Sequence, residues 1–320
     1  GAGILKVSGG PLQFFGHYNL SSAPVITSAT IDFEPINSVS LGAFTTAGGN
    51  YTWGGNTSFT SYTHSSGGST FNGASTIGSL VVSGGTLTVD GTANVANFSQ
   101  SAGTLNGSGV LTATNSLSWT GGTMSGTGTT KLAAGGSGTM TTFNPKYLQR
   151  TLRNEGTLVQ SGTGGTFVIY AGGTLDNAGT YQVADDSLVG YSYYAGAAIL
   201  NSGTFEKTGG TGTSGSWTAF TNQSGGVLRS SSGTLGFYSG FNTTGTSSIG
   251  AGAGVVAAAG GSGTLTGTLD ILTGGTITFS GGTNTVAAGS TFGTSGNGTL
   301  GVSGGTLTVD GTANVANFSQ

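Results

Sequence analysis

Ten carboxylates and two histidines are the groups in this chain best suited to acid–base or metal chemistry. Glycoside hydrolysis needs two carboxylates facing each other across a cleft, so the spacing of the acids decides whether that chemistry is open. They are Asp32, Glu34, Asp90, Glu155, Asp176, Asp185, Asp186, Glu206, Asp270 and Asp310, scattered along the chain. Asp185 and Asp186 are the densest pair, and they follow Tyr-Gln-Val-Ala, where a strand gives way to a turn that Asp favours through local backbone hydrogen bonds. Asp32 and Glu34 alternate within Ile-Asp-Phe-Glu, so both point outward from one strand. Asp90 and Asp310 recur in Thr-Val-Asp-Gly-Thr, a turn signal. Calcium would need six to eight oxygen ligands, and no Gly-Gly-x-Gly-x-Asp nonapeptide is present. His17 and His64 lack neighbouring ligands at metal spacing and read as surface residues. No Gly-x-Ser-x-Gly elbow sits between a strand and a helix, and Gly209-Gly210-Thr211-Gly212 lacks the Lys-Ser/Thr of a phosphate loop. No cofactor and no catalytic or metal residue is expected.

Aromatic and amide side chains offer binding and stacking instead. Tyr181, Tyr191, Tyr193 and Tyr194 fall in one non-repeating stretch and are candidates for a subunit interface or glycan contact, with packing inside the fold as the alternative. The run Phe14-Phe15-Gly16-His17-Tyr18, together with Trp53 and Trp119 beside Gly-Gly turns, carries the same alternatives. Asn154, Asn177 and Asn201 recur at intervals of 23 and 24 residues, the pattern of an amide ladder between stacked strands, and Asn222 is a looser fourth copy. Asn-x-Ser/Thr sequons at Asn19, Asn56, Asn106 and Asn242 are what a Ser/Thr-rich chain contains by chance.

These residues sit in an unusual background. Gly (66), Ser (40) and Thr (54) make up half of the 320 residues, charged residues are 5%, and cysteine is absent. Seven Lys and Arg against ten acids leave a net charge of -3, which cannot form the basic face of a nucleic-acid binder. Disulfides and thiolate metal sites are excluded. The longest apolar runs, such as residues 254–259, are far short of the roughly 20 residues of a spanning helix. The first residues, Gly-Ala-Gly-Ile-Leu-Lys, carry no signal-peptide core and read as the middle of a longer chain.

Hydrophobic residues at 35%, with 16 Phe and 10 Tyr, are too many for a flexible linker. They occur in short β-type runs, as in Thr86-Leu-Thr-Val89, Phe167-Val-Ile-Tyr170 and Thr276-Ile-Thr-Phe279, separated by Gly-rich turns. The runs repeat. Gly85-Thr-Leu, Gly103-Thr-Leu and Gly122-Thr-Met follow at 18 and 19 residues; Leu-x-Asn-x-Gly-Thr units begin at Leu152 and Leu175, and Leu200-Asn201-Ser-Gly203-Thr-Phe205 continues them. A period near 20 predicts an all-β, right-handed parallel β-helix of about 20 residues per coil, strands stacked at about 4.8 Å. About 16 such coils would make a rod on the order of 75 Å long. Above this lies a longer repeat: residues 82–100 return letter for letter at 302–320. The chain thus divides into residues 1–80, the divergent end of one super-repeat; 81–300, one super-repeat of about 220 residues; and 301–320, the start of the next.

The Leu-x-Asn-x-Gly-Thr-Leu units, Thr204-Phe-Glu-Lys-Thr-Gly-Gly-Thr-Gly-Thr213 and Ser118-Trp-Thr-Gly-Gly-Thr-Met124 resemble the repeats of bacterial exported β-solenoid proteins of the autotransporter-passenger and filamentous-adhesin type. The resemblance covers roughly residues 78–320. It implies a non-enzymatic, extracellular or cell-surface rod, a module of a long fibre or stalk that self-associates into filaments or bundles. An adhesin binding host or matrix glycans through exposed aromatics is the alternative. A polysaccharide-degrading β-helix enzyme is more remote, since lyases of that fold gather acids and a basic residue on one face. Expected partners are other copies of the chain and glycans, with no nucleic acid.

Overall fold

The computed structural model describes residues 6–7, 10–14, 18–20, 25–26, 30–33, 38–141, 143–162, 167–192, 194–294 and 298–320. Among them every regular element is a strand, and the strands stack in parallel register as a β-solenoid. Among the described residues there are about 13 turns of roughly 21 residues, close to the 20 expected for each coil. The early turns take 18 residues, as between Thr46 and His64, but later ones lengthen to 23 and 24, as between Asn154, Asn177 and Asn201. Two compact units are formed, one by Gly1–Thr139 with Asn144–Arg153, the other by Met140–Phe143 with Asn154–Gln320.

In the first unit the strands Val39–Trp53, Thr57–Phe71 and Ala74–Val82 lie one turn above another, followed by Thr92–Gln100 and Val110–Trp119. Alternating apolar and Thr/Ser residues give alternating burial, so each strand sends one set of side chains inward. Parallel register then stacks like positions. Leu41, Phe59, Ile77 and Val95 form one column, Phe44, Tyr62, Leu80, Phe98 and Leu117 a second, and Trp53, Phe71 and Val89 a third. All are buried, and each contributes about 1.5–3 kcal/mol of apolar burial.

The second unit builds a turn from three short strands, for example Ala198–Asn201, Thr204–Lys207 and Thr213–Ser216. The third strand of successive turns forms its own six-stranded sheet, ending in Thr299–Val302 and Asn317–Ser319. Tyr181, Phe205, Leu228, Ile249 and Ile271 stack as one inward column, with Ile199, Phe220 and Phe241 as another. Tyr181 and Phe205 are face to face, centroids 4.7 Å apart and 11° between planes.

Between strands the turns themselves stack, which explains the glycine content. A Cβ on Gly73, Gly91, Gly109 or Gly128 would lie 2.2, 2.2, 1.9 or 2.0 Å from the carbonyl oxygen one turn below, on Gly55, Gly73, Gly91 or Gly109. The requirement there is space. At Gly135 it is conformation alone: φ is +79° and no atom lies within 4 Å of a Cβ. Gly109→Ala is therefore expected to cost about 1–3 kcal/mol by forcing two turns apart, and Gly135→Ala about 1 kcal/mol of left-handed strain. Urea unfolding of the two variants checks the order; equal costs would contradict the close stacking.

Candidate interaction surface

Four of the carboxylates suited to chemistry, Asp90, Asp185, Asp186 and Glu206, fasten one turn to another. Asp90 accepts hydrogen bonds from the Ser108 amide (2.9 Å) and hydroxyl (3.1 Å) one turn on. Asp185 accepts from the Gly162 amide (2.6 Å) and the Ser187 amide (3.0 Å). Asp186 faces Lys207, whose fully buried ammonium donates to Asp186 Oδ1 (2.6 Å) and to the carbonyls of Asp185 (2.9 Å) and Gly209 (2.5 Å). The Lys207 hydrogen bond, aided by the Gly212 amide, holds the Asp186 carboxyl below the usual carboxylate range. Glu206 binds the Arg229 guanidinium and accepts from Gln182 (2.8 Å), joining three successive turns. Asp32 lies on a half-exposed face, whereas Glu34 and His17 fall outside the described residues. Among the described residues no group of three or more His, Asp or Glu could hold a metal ion, and no helix is long and apolar enough to cross a membrane.

The expectation that His64 is a surface residue is corrected by the structure: it is fully buried. It stands in an inward column with Thr46 and Val82, because the strand Thr57–Phe71 puts it in phase with Tyr62, two residues before it. Its Nδ1 is 2.7 Å from Thr46 Oγ1 and 3.2 Å from Ser69 Oγ, which in turn meets the Tyr62 hydroxyl at 2.7 Å. Burial pushes the imidazole below its ordinary pKa and the Tyr62 phenol above its own. A neutral His64 in the fold competes with a protonated one in the unfolded chain, whose pKa is about 6.5. Above that pH both states are neutral; as pH falls through it only the unfolded chain takes up the proton, and stability drops by up to about 1.4 kcal/mol per pH unit. Thermal melts of the parent and His64→Val between about pH 5 and 8 should show an acid loss in the parent that the variant lacks. A parent melting point flat below pH 6.5 would contradict this.

Asn154, Asn177 and Asn201 are fully buried and joined end to end. Each Nδ2 donates to the next Oδ1 at 2.7 Å, and Asn201 passes the row on to Asn222 at the same distance. Asn154, Asn177 and Asn201 also donate to the backbone carbonyls of Thr180, Thr204 and Val227 (2.9, 2.9 and 3.4 Å). Beyond Asn222 the column continues as Thr243, Leu265, Val286 and Val309, so amide stacking gives way to aliphatic packing.

The four tyrosines separate. Tyr181 is wholly buried and its hydroxyl donates to Gln160 Oε1, which corrects its assignment to an interface or glycan contact: the strand's alternation turns it inward. Tyr193 lies outside the described residues. Tyr191 is half-buried and Tyr194 is exposed. Tyr194 packs on Tyr170 with centroids 4.4 Å apart, while Tyr191 meets Trp217 at 5.9 Å, and Trp217 stacks on Tyr238 at 4.5 Å and 15°. Trp53 and Trp119 are both fully buried. Sequence reasoning missed Trp217 and Tyr238, whose 21-residue spacing is a full turn, and the buried Lys207, which register with Val183 places inward.

A second surface is apolar. Residues 302–320 leave Val309 43% and Phe318 60% exposed, and with Leu300, Leu307, Ala313 and Val315 these line a hollow of about 470 Å³. The identical residues 82–100 are sealed: Leu87, Val89, Ala93, Val95, Phe98 and Gln100 are all buried, between Thr57–Phe71 and Ala74–Val82 on one side and Thr104–Asn106 and Val110–Trp119 on the other.

Fold and surface together define a β-solenoid repeat protein. In comparisons with known proteins, no family model, no curated protein and no solved structure matches the chain.

Proposed function

We propose that the chain is a structural repeat module of a long extracellular fibre or cell-surface stalk, of the kind built by bacterial exported β-solenoid proteins, and that copies of it associate. The observation that carries this reading is the pair of identical segments. At 82–100 the sequence is a layer between two turns, its inward side chains covered on both sides, and the same residues recur letter for letter at 302–320 and stack in register on the turn before them. A sequence used twice in this way is a generic stacking layer, as a rod built of nearest-neighbour turns requires. Such a module has no need of an active site. Its acids and lysine bind turn to turn, and its load is spread over nearest-neighbour contacts along the axis. Scarce charge and a Thr/Ser surface let rods lie side by side while staying hydrated.

Sedimentation velocity of the chain over a range of concentrations tests the association. The parent is expected to form larger species as concentration rises, and Val309→Asp with Phe318→Asp, which charges the exposed apolar hollow, is expected to remain monomeric. A parent that stays monomeric throughout would overturn the reading.

A further inference from the structure

On independent grounds from the fibre reading, we infer that the second unit carries a binding groove for neutral β-linked hexopyranose oligosaccharides, between Tyr194 and Trp217. The groove encloses about 370 Å³, within the usual size of a small-ligand site, and its floor is made by Gly196, Ala197, Thr218 and Ala219. Two aromatic stacks border it. Tyr170 packs against Tyr194, centroids 4.4 Å apart, and Tyr194 is 47% exposed at the groove. On the other side Trp217 is braced by Tyr238 at 4.5 Å and 15°. Each aromatic side chain at the groove is therefore held by a second ring behind it, so little side-chain freedom is lost when a ligand arrives.

The lining selects the chemistry. Aromatic rings offer apolar area with a polar edge, and the C–H face of an equatorially substituted pyranose is a flat apolar surface of matching size. Hydroxyls at its rim need donors and acceptors close by, and Ser192 and Ser239 line the groove to supply them. Ser239 already donates to the Trp217 carbonyl and so keeps its own oxygen available as an acceptor. Among the described residues no charged one lines the groove, so a uronic or sialic acid would lose hydration without gaining a counter-charge. The small residues of the floor matter as well: Gly196, Ala197 and Ala219 leave room that any larger side chain would fill.

Cellotetraose, a β-1,4-linked glucose tetramer, is the probe. Trp53 and Trp119 are fully buried and the chain holds three tryptophans, so emission quenchable by acrylamide comes from Trp217. Titration of the full chain is expected to shift and protect that emission saturably. By calorimetry, Trp217→Ala and Tyr194→Ala should each weaken binding at least about ten-fold. Tyr194 is exposed enough that its replacement leaves the fold intact, and Phe143→Ala, an exposed aromatic elsewhere, should bind as the parent does. A response that never saturates, or that persists unchanged in Tyr194→Ala, overturns the groove. So does a finding that Tyr194→Ala or Trp217→Ala abolishes pairing of copies while cellotetraose binds neither parent nor variant, since the aromatics would then be a contact between chains.

Discussion

Replacing Asn177 by alanine is expected to lower the unfolding free energy of the second unit by about 4 kcal/mol. The side chain is fully buried and works in both directions: it accepts from Asn154 Nδ2 at 2.7 Å, and its own Nδ2 donates to Asn201 Oδ1 at 2.7 Å and to the Thr204 carbonyl at 2.9 Å. Truncation strands one donor and one acceptor on the neighbouring amides, each costing about 1–3 kcal/mol where water cannot reach. Asn177→Leu should not rescue the loss, because it restores volume without restoring partners. Asn222→Ala, at the end of the row, should cost roughly half as much, since a single amide, Asn201, donates to it. Urea unfolding of the three variants measures the order. If Asn177→Ala stayed within about 0.5 kcal/mol of the parent, the amide row would be a passive consequence of the stacking.

Phe44→Ala should be comparably damaging in the first unit, at about 4 kcal/mol. The ring is 1% exposed and lies at the centre of an aromatic cluster: parallel to Tyr62 at 5.4 Å, and edge-on to Trp53 at 5.1 Å and Tyr51 at 5.7 Å. Alanine would leave a void bounded by rings fixed to two successive turns, which cannot close without breaking register. Phe44→Leu should recover about half the loss, because the core accepts a smaller apolar group better than a cavity. Near-ultraviolet dichroism, together with urea unfolding, reports both the packing of Trp53 and the stability. An alanine variant with the parent's aromatic signal and midpoint would show that the cluster is not what holds these turns together.

What could be read in the sequence was whatever repeats. Asn154, Asn177 and Asn201 stand one turn apart, so their spacing alone put them in one column, and the Gly-Thr units marked the turns where Gly85, Gly103 and Gly122 stack closely. The number of turns was less legible, because extra residues enter at the turns of the second unit and leave the strand pattern untouched. Side-chain direction at single positions was lost wherever the type misled. His64 and Lys207 are polar, yet strand alternation turns both inward, where Thr46 and Ser69 meet one and Asp186 and two carbonyls meet the other. Tyr181 and Tyr194 are near along the chain, although one stands within a buried column, between Leu158 and Phe205, and the other borders a groove. The groove itself joins residues a full turn apart, Tyr194 with Trp217 and Ser239, and no local motif announces it.

Electron microscopy of the purified chain tests the central claim most directly. Filaments or bundles with a layer line near 4.8 Å along their axis, lost when Val309 and Phe318 are charged, are the predicted result. Short monodisperse rods that never associate at any concentration would contradict it.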